Sequence, residues 1–280
     1  MGVFSARLLG HACLALEAFL AFASIPAAQQ IPNQTTMGLS TSTLADPLHG
    51  NDIDSQADRE QSGAYENFLK QKDPAKKIQL GNSFLEKYPK SPLAERVDAG
   101  MMDVYRAQQD WKNSYAFADR ALAIAPDDVD VLVTIGWTIP HVYSPDDPDA
   151  VQELAKAETF AKHALDVMAK MPKPPGMSDA QFAAAKAKRT FQAHSALGLV
   201  YFRREDFDES ASELALATKG NPVQDQTDLF VLGVDLQNLN RFPEAAEAFA
   251  GCGQLAGPLQ AQCKDNAVSS TAAARQYKPK

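Results

Sequence analysis

The sequence predicts an all-α solenoid of about five helix-turn-helix repeats, ending in a C-terminal capping helix. Three observations carry that prediction. First, the chain resembles itself at a shift of thirty-five residues. Ala196-Leu197-Gly198-Leu199-Val200-Tyr201, Asp206-Phe207, Ser210, Leu214 and Ala217 are echoed by Val231-Leu232-Gly233-Val234-Asp235-Leu236, Arg241-Phe242, Ala245, Phe249 and Cys252. Second, each unit has two apolar stripes at helical spacing, separated by a short polar turn. Third, prolines such as Pro126 and Pro222 follow the second stripe, where a residue without an N–H ends a helix. One such hairpin cannot bury its apolar face alone, whereas stacked neighbours bury it continuously.

Residues 1–28 read as an export signal. Arg7 gives a positive start, Ala12 to Ile25 is apolar, and small residues follow at Ala27 and Ala28. Glu17 interrupts the apolar stretch, which leaves a buried amphipathic helix as the other reading. Gly10-His11-Ala12 lacks the apolar residue that would precede a lipidated cysteine, so Cys13 is not expected to carry a lipid anchor. Residues 29–61 are rich in Gln, Asn, Thr, Ser and Asp, and read as a disordered linker that cannot bury enough apolar surface to offset chain ordering. Asn33-Gln34-Thr35 fits a glycosylation sequon, a pattern that is common by chance.

The solenoid is expected over residues 62–274, with a frayed tail at 275–280. The first unit, 61–94, is irregular: Phe68 stands where a small residue is usual, while Phe84, Tyr88-Pro89 and Pro92 fit a second helix. The second, 95–128, has Met101, Met102, Tyr105, Asp110-Trp111, Ser114, Ala118, Ala121 and Pro126 in register. The fourth, 191–224, and the fifth, 226–258, are the most regular.

The third unit, 129–177, is enlarged. Its first helix starts with Leu132, Ile135 and Gly136, then meets Pro140 and the loop from His141 to Pro148. Pro148 suits a first helical turn, with Asp147 as N-cap. The second helix should reach about Met171. After Pro172-Lys173-Pro174-Pro175-Gly176, Ser178 and Gln181 form a capping box, and the next helix can run to Arg204 without a breaker. Enlarged units often carry functional loops, although a solenoid loop also tolerates insertion without function.

These units resemble the tetratricopeptide repeat family. Leu197, Gly198, Tyr201, Ser210, Ala217 and Pro222 occupy the family's signature positions, as do Leu232, Gly233, Ala245 and Phe249. The resemblance covers roughly residues 61–265 and implies a right-handed superhelix whose first helices line a concave groove. Carried over position by position, that groove shows Arg96, Asp103 and Arg106, then Asp130, Trp137 and His141. Gln192, Leu199, Phe202 and Arg203 follow, then Phe230, Gln237 and Asn238. The expected partner-binding set is Arg106, Trp137, His141, Phe202, Arg203, Phe230, Gln237 and Asn238. Aromatic rings anchor, Arg pairs with carboxylates, and Asn and Gln hold an extended peptide. The other reading makes Trp137, Phe202 and Phe230 packing contacts between first helices. The places that bind chaperone C-termini in some family members hold Ala99, Asp103, Thr134, Gln192 and Ala196 here, so that ligand is not expected.

Cys252 and Cys263 flank Gly257-Pro258 at five or six residues on either side. In an antiparallel hairpin, positions equidistant from the turn face each other, so the two are disulfide candidates; two buried thiols are the alternative. The helix from Pro258 to about Ala274 would cover the apolar end of the stack.

The net charge is −8, which disfavours nucleic acid as partner, because binding phosphates needs a basic surface. No apolar run is long enough to span a membrane. There is no His-Glu-x-x-His motif, P-loop or nucleophile elbow, and Gly251-Cys252-Gly253-Gln254-Leu255-Ala256-Gly257 departs from a dinucleotide loop. No histidine has metal-ligand spacing: His194 reads as a packing residue and His163 as solvent-facing. The acidic run Asp146-Asp147-Asp149 is too sparse for calcium. No catalytic residue, metal or cofactor is expected.

The chain therefore reads as a non-enzymatic scaffold that binds a protein or peptide, exported to the periplasm or secreted. Phe84-Leu85-Glu86-Lys87-Tyr88-Pro89-Lys90-Ser91-Pro92 resembles repeats of bacterial cell-envelope assembly proteins, which implies an envelope role. The alternatives are a small-ligand or glycan receptor using Trp137 and Phe202, or an enzyme using His141, Tyr143 and Asp147 at the inserted loop.

Overall fold

A computed structural model describes residues 56–277. The described residues form eleven helices and no strands. In chain order these are α1 (Gln56–Lys70), α2 (Pro74–Lys87), α3 (Ala94–Ala107), α4 (Trp111–Ile124), α5 (Val129–His141), α6 (Ala150–Lys170), α7 (Asp179–Arg203), α8 (Phe207–Thr218), α9 (Gln226–Asn238), α10 (Phe242–Gln254) and α11 (Gln260–Gln276). Successive helices pack on one another from α1 to α4 and from α8 to α11, as a string of hairpins requires. The described residues divide into two compact units: one holds residues 56–139 and 151–196, the other residues 140–150 and 197–277.

Most boundaries follow the sequence expectation. Aspartates cap helix starts by accepting from a backbone N–H: Asp73 from Lys76, Asp110 from Asn113, Asp128 from Val131 and Asp225 from Thr227. The capping box forms at the start of α7, where the Ser178 N–H donates to Gln181 Oε1 at 3.1 Å and the Gln181 N–H donates to Ser178 Oγ at 3.3 Å.

Three boundaries differ. Helix α1 begins at Gln56, inside the stretch read as linker, while the rest of that stretch and the export signal lie outside the described residues. Helix α6 begins at Ala150, not at Pro148. Asp147 instead turns the chain just ahead of it, its side chain accepting from the Asp149 N–H at 3.0 Å. Helix α11 runs to Gln276, through part of the expected tail, where the Tyr277 ring meets the Phe242 ring edge-on at 5.3 Å.

In the first unit, the irregular position Phe68 is fully buried. A Cβ added at Gly81 or Gly100 would come within 3.1 Å of its ring. The bulk on α1 is thus accommodated by missing bulk on α2 and α3. The first-unit core continues through Val129, Leu132, Val133, Ala164, Met168 and Ala193.

In the second unit, Leu199, Phe202, Leu214, Phe230, Val231, Ala245, Phe249, Cys252 and Cys263 form one apolar cluster. Repeat equivalence extends to single hydrogen bonds. Ser114 Oγ donates to the Met102 carbonyl at 3.1 Å, and Ser210 Oγ stands 2.9 Å from the Gly198 carbonyl, twelve residues back in both cases.

The short polar turns share a conformation that the sequence does not announce. Gln109, Glu205 and Asn240 have φ of 60°, 65° and 58°, the left-handed region. After each of them, the N–H of the next residue reaches back five positions: Asp110 to Tyr105, Asp206 to Tyr201 and Arg241 to Leu236. A side chain at such a φ costs roughly 1 kcal/mol that glycine does not. Glu205 is exposed, so Glu205→Gly is expected to raise stability by about 0.5–1 kcal/mol. A urea-unfolding midpoint equal to or below that of the unmodified chain would contradict this reading of the turn.

Candidate functional site

In the second unit, the inserted loop leaves the end of α5 at His141 and lies against the end of α7. Arg203, the last residue of α7, donates from Nη2 and Nε to the Pro140 carbonyl at 3.1 and 3.3 Å. Its guanidinium also covers the Tyr143 ring at 5.3 Å. Burial lowers the Arg203 pKa to about 10, partly opposed by Tyr143, and the group stays cationic at neutral pH.

His141 is buried, 4% exposed. It meets the first turn of α9, where Asp228 is 3% exposed and Asp225 is half-buried. Donor atoms of His141, Asp225 and Asp228 all lie within 4.8 Å of one another. Nothing in local spacing signals this group, because His141 stands more than eighty residues from both aspartates. Tyr143 and Asp147, grouped with His141 in the enzymatic alternative, are held by other contacts: Tyr143 by Arg203 and Asp147 by the turn ahead of α6.

The other expected binding residues of this unit divide by burial. Phe202 is 6% exposed and packs in the apolar cluster, 6.4 Å from Phe207. Phe230 is 1% exposed, its ring edge-on to Phe249 at 5.7 Å. Both rings stabilise the interior, and Phe230 presents almost no surface. Gln237 donates to Ser270 Oγ on α11 at 2.8 Å, and Asn238 donates to the Val234 carbonyl of its own helix at 3.0 Å. Asn238 remains exposed.

In the first unit, Arg106 pairs with Asp103 at 3.2 Å on α3. Burial raises the Asp103 pKa, while Arg106 opposes the rise. Trp137 is 9% exposed within the buried helix α5. Asp130 is engaged two-pronged by Arg189 of α7, at 2.6 and 2.9 Å. His163 lies on the exposed side of α6 and meets Asp127 at 2.7 Å. An acidic group at the start of α3 escaped the sequence reading. Burial, followed by a hydrogen bond with Asp128, pushes Glu95 up to about 8. Burial also pushes Asp98 up to about 6, against the pull of Arg120 at 3.0 Å.

Cys252 and Cys263 are joined in a disulfide between α10 and α11, with Cα atoms 5.7 Å apart. No helix among the described residues is long and apolar enough to cross a membrane.

No family model matches the chain, and no curated protein matches it. Alignments with solved structures span most of the chain. PilW, described as a widely conserved type IV pilus biogenesis factor, aligns over 80% of this chain and 91% of its own, with a TM-score of 0.51 and 14% identity. BtubC (BKLC) from P. vanneervenii aligns over 79% of this chain and 82% of its own, with a TM-score of 0.44 and 16% identity.

Proposed function

We propose that the chain is a non-enzymatic scaffold of the tetratricopeptide type, exported to the cell envelope, where it holds a protein or peptide segment. The observation that carries this reading is the structural equivalence of the repeats. The same left-handed turn recurs at Gln109, Glu205 and Asn240, and the same serine-to-carbonyl contact recurs at Ser114 and Ser210. Repeat hairpins of this kind offer extended surfaces rather than a single deep site. The fold shared with PilW supports a helical scaffold. A partner belonging to an envelope assembly is part of the proposal, supported also by the disulfide, which persists in oxidising compartments.

On the first unit Arg106 supplies a cationic anchor; on the second, Arg203 supplies another and Gln237 and Asn238 supply amides. Trp137, His141, Phe202 and Phe230 shape the helices that present them. The test is quantitative co-purification from the native host with the chain and with Arg106→Glu, Asn238→Lys, both changes on partly or fully exposed side chains. The expected result is a defined protein partner, depleted about tenfold or more by the charge changes while the melting temperature is kept. The same recovered set from both chains would remove these helices as the binding surface.

A further inference from the structure

We propose that His141, Asp225 and Asp228 form a binding site for one divalent transition-metal cation of the zinc type. Three donor residues converge from two distant segments, the end of α5 and the first turn of α9, with their ligand atoms within 4.8 Å of one another. Two of them, an imidazole and a carboxylate, are more than nine-tenths buried, at 4% and 3% exposure. Side chains that are costly to desolvate converge at one point away from water, an arrangement that a bound cation stabilises.

The donor set selects the cation. One imidazole nitrogen with two carboxylate oxygens suits zinc and its first-row neighbours. Calcium takes six to eight oxygen ligands, and magnesium keeps much of its water, so neither is served by this set. Zinc bonds of about 2.0–2.2 Å place tetrahedral ligands roughly 3.3 Å apart, so binding would draw the three donors closer than their present 4.8 Å limit. Asp225 Oδ1 caps α9, accepting from the Thr227 N–H at 2.7 Å, and the cap occupies one of its two oxygens. Asp225 is also the least buried of the three, which opens that side to entry and to a water as fourth ligand. A cation there ties the root of the inserted loop, at His141, to the start of α9 inside the second unit.

The test is zinc titration of the full chain after stripping with a chelator, read by calorimetry and by metal content after dialysis. One zinc per chain is expected, undisturbed by millimolar calcium or magnesium. Cobalt should bind in its place and give a visible d–d band. Asp225→Ser keeps a capping oxygen but not the reach of a carboxylate, so it preserves the helix start while weakening zinc about tenfold or more. Asp228→Asn and His141→Gln should do the same, whereas His163→Ala, at the exposed pair with Asp127, should change nothing. Failure to hold one equivalent of zinc would overturn the proposal. So would an affinity left unchanged by both Asp225→Ser and Asp228→Asn, which would leave the group as a buried network of protons and hydrogen bonds. Because the readout is metal content, this result is independent of whether a protein partner is found.

Discussion

Asp235→Asn is expected to reverse its effect on stability between pH 4 and pH 8.5. Asp235 lies at the centre of α9, fully buried, and burial pushes its pKa up to about 8 against the lowering influence of Ser210. The geometry agrees with a neutral carboxyl group. Ser210 Oγ is 2.6 Å from Asp235 Oδ2 and 2.9 Å from the Gly198 carbonyl. One hydroxyl hydrogen cannot serve two acceptors, so a carboxylate would leave one contact without a proton. A protonated Asp235 completes the chain: its O–H donates to Ser210 Oγ, and Ser210 donates to Gly198.

The pH dependence has a definite sign. The folded-state pKa is raised above the unfolded value of about 3.9. Below pH 4 both states hold the proton and stability is unaffected. Between pH 4 and pH 8 only the folded state holds it, so stability falls by about 1.4 kcal/mol per pH unit. Above pH 8 the loss is complete. Asparagine stays neutral and still donates to Ser210, but its second amide hydrogen has no equivalent in the acid and costs about 1 kcal/mol or more. The variant should therefore be less stable at pH 4, where the native chain has lost little, and more stable at pH 8.5, in urea melts of both chains at both values. Glu95 and Asp98 titrate alike in the two chains, so the difference isolates Asp235. Two curves that run parallel across this range would show that Asp235 is ionised in the folded protein.

Features whose determinants lie close together in sequence were legible before the structure. The Ser178–Gln181 box, the unbroken helix after it, and the pairing of Cys252 with Cys263 across Gly257-Pro258 depend on short separations and on periodicity. The left-handed turns were not legible, because Gln109, Glu205 and Asn240 replace the glycine that normally signals them. Tertiary packing over-determines that conformation. The Ser210–Asp235 contact links neighbouring repeats, and His141 meets Asp225 and Asp228 although three helices intervene in the chain. Such meetings follow from the stacking of repeats, and one sequence without its fold does not contain them. A partial signal did exist for Asp235: an acid inside Val231-Leu232-Gly233-Val234-Asp235-Leu236 falls where every neighbour is apolar and buried. Phe202 and Phe230 show the opposite case. Helical spacing identifies a stripe, but an aromatic ring in that stripe serves the core as readily as a surface.

Reduction of the Cys252–Cys263 bond should release α11 before it unfolds the rest of the chain. This helix contributes little apolar surface of its own: only Cys263 and Ser270 are buried along it, and Val268 is 71% exposed. What else holds it is local. The Gln226 side-chain amide donates to the Leu255 carbonyl at 3.0 Å and accepts from the Leu259 N–H at 3.1 Å, spanning the turn between α10 and α11. Gly257 makes room for it, since a Cβ there would fall 2.3 Å from Gln226 Oε1. Gln237–Ser270, Gln260 to the Gly253 carbonyl, the packing of Ala267 on the apolar cluster and Phe242–Tyr277 add to these. A cross-link closing a loop of sequence separation 11 restricts the unfolded chain by about 3 kcal/mol on the loop-entropy account. Applied to one helix that buries few apolar side chains of its own, that loss corresponds to roughly a hundredfold fall in the protection of its amides. Hydrogen exchange of oxidised and reduced chain should show the fall over residues 260–276, with α8 and α9 nearly unchanged. Equal protection of α11 in both states would mean that side-chain packing, not the bond, holds the cap in place. An equal loss across α8 to α11 would instead make this end of the protein one cooperative unit. Because both cysteines are fully buried, reductant reaches the bond only through openings of the same hairpin. The rate of reduction should therefore track the exchange of the α11 amides in the oxidised chain.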